Sequence, residues 1–243
     1  TQGWPAAVTG RAIFHGASAR FGTFAANKIN GEIFIADDNL SIKDLKAEVN
    51  QVPAVLNGTF RDFKKQALDL SVAVRKADLK QLGNFSPALK DLDIAGQGAA
   101  DFKISGSASQ PAVKGSAEIK QGLAYRQAFG GRFYFTYKDK VFKAASETAK
   151  YFNANSPFEL TLDFTGRAAQ LSLSANFTKL NLFTLAQKTP GIEGLMDGEF
   201  SLDGPLDSLA GEFAAVMDEA LVFGQPLDHL QASFKVKDGN FEL

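Results

Sequence analysis

The chain has 243 residues, a formal net charge of −1 and a sequence pI near 6.1, and no stretch gathers lysine or arginine, so the footprint of a nucleic-acid binder is missing. It has no cysteine, which excludes disulfides, thiolate metal sites and cysteine nucleophiles. Phenylalanine occurs 22 times against 4 tyrosines and 1 tryptophan, and because phenylalanine offers apolar area without a polar tip, the balance points to plain apolar surface.

Residues 3–10 resemble two turn segments that end at Gly115 and Gly211, so the chain begins near the end of a partial repeat. Residues 8–24 are rich in small side chains and show no clear period. Residues 29–35 alternate and run into Asp37-Asp38-Asn39, which reads as a strand entering a tight turn. Alternation continues through 45–50 and 52–56, and Asn57-Gly58, flanked by apolar residues, predicts a hairpin turn.

Residues 66–74 predict a strand with Leu68, Leu70, Val72 and Val74 on one face. Directly after it, 76–82 predicts a short helix capped by Asp78, with Leu79 and Leu82 on one side. Six strands follow, over 94–104, 113–119, 131–138, 141–148, 157–165 and 170–178. The last places Leu171, Leu173, Ala175 and Phe177 on one face, and residues 179–185 then repeat the lysine, capping residue and Leu-x-x-Leu of the first helix.

A long-period repeat organises these elements. Gly96, Phe102, Ile104 and Gly106 recur with the same spacing as Gly194, Phe200, Leu202 and Gly204. The closing hairpin 234–241 parallels 135–142. The repeat divides the chain into a partial first unit (1–77), a second (78–181) and a truncated third (182–243). The chain opens without methionine and stops inside an alternating pattern, so it reads as a segment of a longer protein, any anchor or export signal lying outside it.

Chemistry-bearing motifs are sparse. His15 and His229 are the two histidines, too few for a histidine metal cluster or a catalytic triad, and no metal or cofactor is expected. Gly96-Gln-Gly-Ala-Ala-Asp101 lacks the third glycine of a dinucleotide loop and lies within a strand pattern. Asp101, Glu118, Glu159, Asp163, Glu199 and Asp203 alternate with apolar residues, which places them on a solvated face and not in an acid–base pair. Asp37-Asp38-Asn39 and Asp238-Gly239-Asn240 are explained by turn chemistry.

The expected fold is therefore all-β: a long curled sheet forming a groove, built from repeated strand units with short connecting helices. Open sheets beyond about ten strands curl or split. The groove lining is expected to comprise Leu70, Val72, Val74, Phe102, Ile104, Phe133, Phe135, Phe158, Leu160, Leu162, Phe164, Leu171, Leu173, Phe177, Phe200, Leu202, Phe234 and Val236. A sandwich or solenoid with its faces packed together gives the same alternation. An outer-membrane barrel carries tyrosine and tryptophan girdles, which this composition does not supply.

The repeated layout of long alternating strands, a short D/N-L-x-x-L helix after Val74 and Phe177, G-x-F-x-(I/L)-x-G strands, and P-A-V-K-G or L-A-G-E turns resembles the TamB and AsmA-like envelope proteins, particularly the C-terminal part of TamB, from about residue 5 to 243. The resemblance implies a taco-shaped sheet, apolar inside, in the periplasm of a diderm bacterium, belonging to a protein anchored in the inner membrane. It further implies a non-enzymatic carrier of phospholipid acyl chains between the inner and outer membranes, with an outer-membrane barrel partner of the TamA or BamA kind. The alternative is a translocation and assembly scaffold for outer-membrane proteins or autotransporters, acting through an exposed sheet edge.

Overall fold

A computed structural model describes residues 9–21, 24–62, 66–84, 94–124, 127–151, 154–181, 191–237 and 240–242. Nearly all of them are in strands: β1 Thr9–Phe21, β2 Phe24–Ala36, β3 Asn39–Val49, β4 Val52–Arg61, β5 Ala67–Asp78, β6 Ile94–Ser107, β7 Gln110–Ala124, β8 Gln127–Lys138, β9 Val141–Ser146, β10 Lys150–Tyr151, β11 Ala154–Asn155, β12 Phe158–Asp163, β13 Gln170–Asn181, β14 Ile192–Pro205, β15 Ala210–Val222, β16 Gln225–Lys237 and β17 Asn240–Glu242. The other regular element among the described residues is a 3-10 helix, Leu79–Asn84. The fold is all-β, as the period-two alternation predicts, and its strand pairs are antiparallel.

The chain forms two compact units, Thr1–Tyr125 with Thr136–Asp139, and Arg126–Phe135 with Lys140–Leu243. Compactness is a different criterion from sequence repetition, which divides the chain after residues 77 and 181.

In the first unit β1 to β7 pair each with the next in sequence. The register lines up Ala12, Ile33, Ile42, Gly58, Leu70, Ile104 and Val113 in one row across all seven strands. A second row holds Leu45, Leu56, Val72, Phe102 and Gly115. Because successive side chains point to opposite faces, these rows share one face. The row between them, Asn57, Ser71, Lys103 and Lys114, lies on the other face, as does the row Arg11, Phe34, Ser41, Thr59, Asp69 and Ser105 that flanks the first. Register shifts mark bulges in β1, β2, β3 and β5, and bulges strengthen the twist and bend of the strand that carries them.

Two expectations are corrected in this unit. Asn57-Gly58 is not a turn but the middle of β4. The reversal between β3 and β4 is made by Asn50 and Gln51, both in the left-handed region (φ 47° and 74°). Asn57 instead accepts the amide hydrogen of Asp44 on its Oδ1 at 2.7 Å, beside the bulge in β3, while a Cβ at Gly58 would lie 2.1 Å from the Asp69 carbonyl oxygen. The expected helix after Asp78 is not an α-helix but a six-residue 3-10 helix, Leu79–Asn84. Asp78 does cap it, its Oδ1 accepting from the Lys80 amide at 3.0 Å.

In the second unit β12 pairs with β9 and β13, and β13 to β17 pair in sequence. One row is Ser146, Phe158, Ala175, Phe200, Phe213 and Phe234; the next is Ala144, Leu160, Leu173, Leu202, Gly211 and Val236. Ala145, Glu159, Ser174, Ser201, Glu212 and Lys235 form the row between them on the opposite face. The predicted second helix is corrected in part. Residues 179–181 continue β13 past a bulge at Lys179 (φ 58°), whose amide donates to Asp197 Oδ1 at 2.6 Å, and 182–185 lie outside the described residues.

Candidate functional site: an uncovered apolar face

The polarity of each unit is divided between its two faces. In the first, Leu70, Val72, Val74, Phe102 and Ile104 are half-buried, whereas Asp69, Ser71, Asp101, Lys103 and Ser105 on the intervening positions are exposed. In the second, Phe158, Leu160, Leu162, Leu171, Leu173, Phe200, Leu202 and Phe234 are half-buried, while Glu159, Ser172, Ser174, Glu199, Asp203, Glu212 and Lys235 are exposed. The register places the two sets on opposite faces in both units.

Among the described residues no large side chain is fully buried. Half-burial without a covering layer within the unit means that the apolar side chains shelter one another along their own face. Monomers normally expose apolar patches of only a few hundred Å². Of the carboxylates singled out from the sequence, Asp101, Glu159, Glu199 and Asp203 are exposed on the polar side, whereas Glu118 and Asp163 are half-buried.

The second unit shows how the face is packed. Phe213 stacks on Phe177 at 5.7 Å between ring centroids and on Phe234 at 4.7 Å, both at an interplanar angle of 19°. Such pairs add roughly 0.5–1.5 kcal/mol beyond the area they bury. Phe177 is 8% exposed and belongs to a small core with Ala154, Leu180, Met196 and Ala215. Glycine makes room for it: a Cβ at Gly198 would lie 2.4 Å from the Phe177 ring. Across the face, Phe133 meets Phe158 at 6.0 Å and Phe135 meets Phe142 at 6.5 Å. An open concavity of about 500 Å³ over β13 to β16 is lined mostly from the polar rows, with Ser174, Glu199, Ser201, Glu212 and Lys235 among its residues, so it is not a feature of the apolar face.

Two expected lining residues stand apart. Phe164 lies one residue beyond the end of β12 and is 44% exposed. Val236 pairs through its backbone with Gly211 and Phe241, within the apolar row, and its side chain is outside the described set. The structure adds Phe213 and Phe142, together with Ile33, Ile35, Ile42, Leu45, Leu56 and Phe60 of β2 to β4, which continue the rows of the first unit. Phe213 is hard to find in the sequence because alanines fill the positions around it, which flattens the contrast between faces.

The 3-10 helix closes one end of the apolar face in the first unit. Leu79 is 5% exposed and sits against Gly98 of β6, where a Cβ would be 3.2 Å from Leu79 Cδ2. At the far end of the helix, Asn84 and Asn50 exchange hydrogen bonds, Asn50 Nδ2 donating to the Asn84 carbonyl at 3.1 Å and Asn84 Nδ2 to the Asn50 carbonyl at 3.3 Å. The helix thus runs from β6 to the β3–β4 reversal.

Among the described residues no charged side chain is buried. His229 Nδ1 lies 2.9 Å from Asp218 Oδ1, both groups exposed. The carboxyl of Asp163 is held below the usual carboxylate range by hydrogen bonds from the Thr165 hydroxyl and then from its amide. Among the described residues no three histidine or acidic side chains are placed to hold a metal ion, and no helix is long and apolar enough to cross a membrane. No family model, curated protein or solved structure matches the chain.

Proposed function

We propose that the apolar face is a non-enzymatic carrier surface for phospholipid acyl chains. The observation that supports this most directly is the row-by-row apolar face in each unit, half-buried and left without a covering layer by the other described elements of that unit. Each methylene withdrawn from water gains about 0.8 kcal/mol, so an acyl chain laid along such rows is held without a specific pocket. The resemblance to TamB and AsmA-like envelope proteins, carried by the glycine-bounded strands and the D/N-L-x-x-L segments, supports the same reading. On it, the chain is a periplasmic segment of a protein anchored in the inner membrane, passing phospholipids between the two membranes, with an outer-membrane barrel of the TamA or BamA kind as partner.

The test is site-specific photocrosslinking to lipid from positions on the apolar face, in the parent chain and in a Phe135→Asp, Leu162→Asp, Phe200→Asp variant. A carrier surface loses lipid adducts in the folded variant. Adducts retained at the parent level overturn the reading. A scaffold that captures strands through backbone hydrogen bonds at a sheet edge survives these substitutions, which separates the two functions.

A further inference from the structure

On the polar face of the first unit four cationic side chains gather around an apolar floor. Lys46, Val55 and Ala73 are direct neighbours across β3, β4 and β5, and Glu48 faces Pro53 on the same side. Lys28, Lys46, Arg75 and Lys76 surround a concavity of about 410 Å³ floored by Pro53, Val55 and Ala73, with Glu48 the one carboxylate in its lining. Two of the cations are delivered by irregular backbone. Lys28 has φ 52° within the register shift of β2, and Lys76 falls within that of β5, between Val74 and Ala77. Bulges of this kind re-aim side chains and are over-represented beside functional sites.

The ion pairs are unevenly spread. Lys28 bonds Glu48 at 2.7 Å and Arg75 bonds Asp101 at 2.8 Å, which leaves Lys46 and Lys76 with no carboxylate partner among the described residues. Two ammonium groups without counter-charges repel one another, and an anion placed between them relieves that repulsion. The floor beneath them is apolar.

We propose that this concavity binds a phosphate group attached to an apolar portion, the phosphate between Lys46 and Lys76 and the apolar portion on Pro53, Val55 and Ala73. The site lies on the face opposite the apolar rows, so it stands independently of the carrier reading. A bilayer headgroup and a soluble alkyl phosphate share this chemistry.

Co-sedimentation of the full chain with phosphatidylglycerol or phosphatidylcholine vesicles, beside calorimetric titration with a short-chain alkyl phosphate and with inorganic phosphate, tests the proposal and separates the two sources. The chain is expected to partition onto the anionic vesicles, or to bind the alkyl phosphate more tightly than inorganic phosphate. Binding of the soluble ester identifies a free ligand, and binding to vesicles alone identifies a headgroup; each supports the site. Lys46→Glu with Lys76→Glu should weaken binding by at least about tenfold. Lys103→Glu with Lys114→Glu, an equal charge change on the same face, should leave it intact. The neutral pair Lys46→Gln with Lys76→Gln provides the same reading should the reversed charges disturb folding. No binding by the parent chain to any of these probes overturns the proposal, as does an equal loss in both glutamate pairs. Phe200→Asp should leave this binding unchanged, so its outcome is independent of the lipid crosslinks.

Discussion

The two units present the same one-sided sheet with different side chains. The first builds its apolar face mainly from aliphatic residues, with Ile33, Ile42, Leu70, Ile104 and Val113 in one row interrupted at Gly58, and closes one end with a 3-10 helix pinned by Leu79. The second uses aromatic rings, Phe177, Phe213 and Phe234 stacked in sequence, and has a small core around Ala154 and Met196. What decides one-sidedness is therefore the register and not the kind of apolar residue. What differs is where order is stored: in a separate strap in one unit, and in the face itself in the other.

That contrast can be broken from either side. Phe213→Ala removes the middle ring of the stack and should destabilise the second unit by about 3 kcal/mol, at the low end for an aromatic truncation because the ring is half-buried. Hydrogen exchange should show lost protection in β13 to β16 with the first unit unaffected; a uniform loss would mean that the two are not separate stability units. Leu79→Ala should cost the first unit about 2 kcal/mol, read as faster exchange at Gly98 and its neighbours in β6, with the second unit unchanged.

The smallest effect concerns the turn after β12. With its folded value depressed, the Asp163 carboxylate contributes stability above its unfolded pKa, near 3.9, and that contribution is lost as pH falls through the lower folded value. The carboxyl itself is exposed, so Asp163→Asn should leave the urea midpoint at neutral pH nearly unchanged. The Thr165 amide resonance should nevertheless titrate below pH 4 in the parent and not in the variant.

Much of this architecture is legible in the sequence, and the exceptions share a cause. The six strands between 94 and 178 follow from alternation, and the glycines of the long repeat recur at matching places in β6 and β14. Asn57-Gly58 misleads because an asparagine that anchors a neighbouring strand's bulge has the same local sequence as one that turns the chain. Residues 8–24 hide β1 because alanine and glycine give no contrast between faces. The short β10 and β11 depend on pairing with β8 and β13, far away in the chain. The basic concavity is invisible for a similar reason, since its cations come from three strands and meet only once the register is set.

The pleat of these sheets has a dynamic consequence. Like-facing rows recur every second residue, about 6.6–6.8 Å apart along a strand. In the second unit, the row holding Phe200, flanked by Ala175 and Phe213, is followed by the row holding Leu202, flanked by Leu173 and Gly211. An oily chain shifted by one such step exchanges one set of contacts for a nearly equivalent set, so it experiences a shallow periodic potential with no single deep minimum. A surface of that kind favours sliding over capture, and any net direction must come from a gradient at its ends.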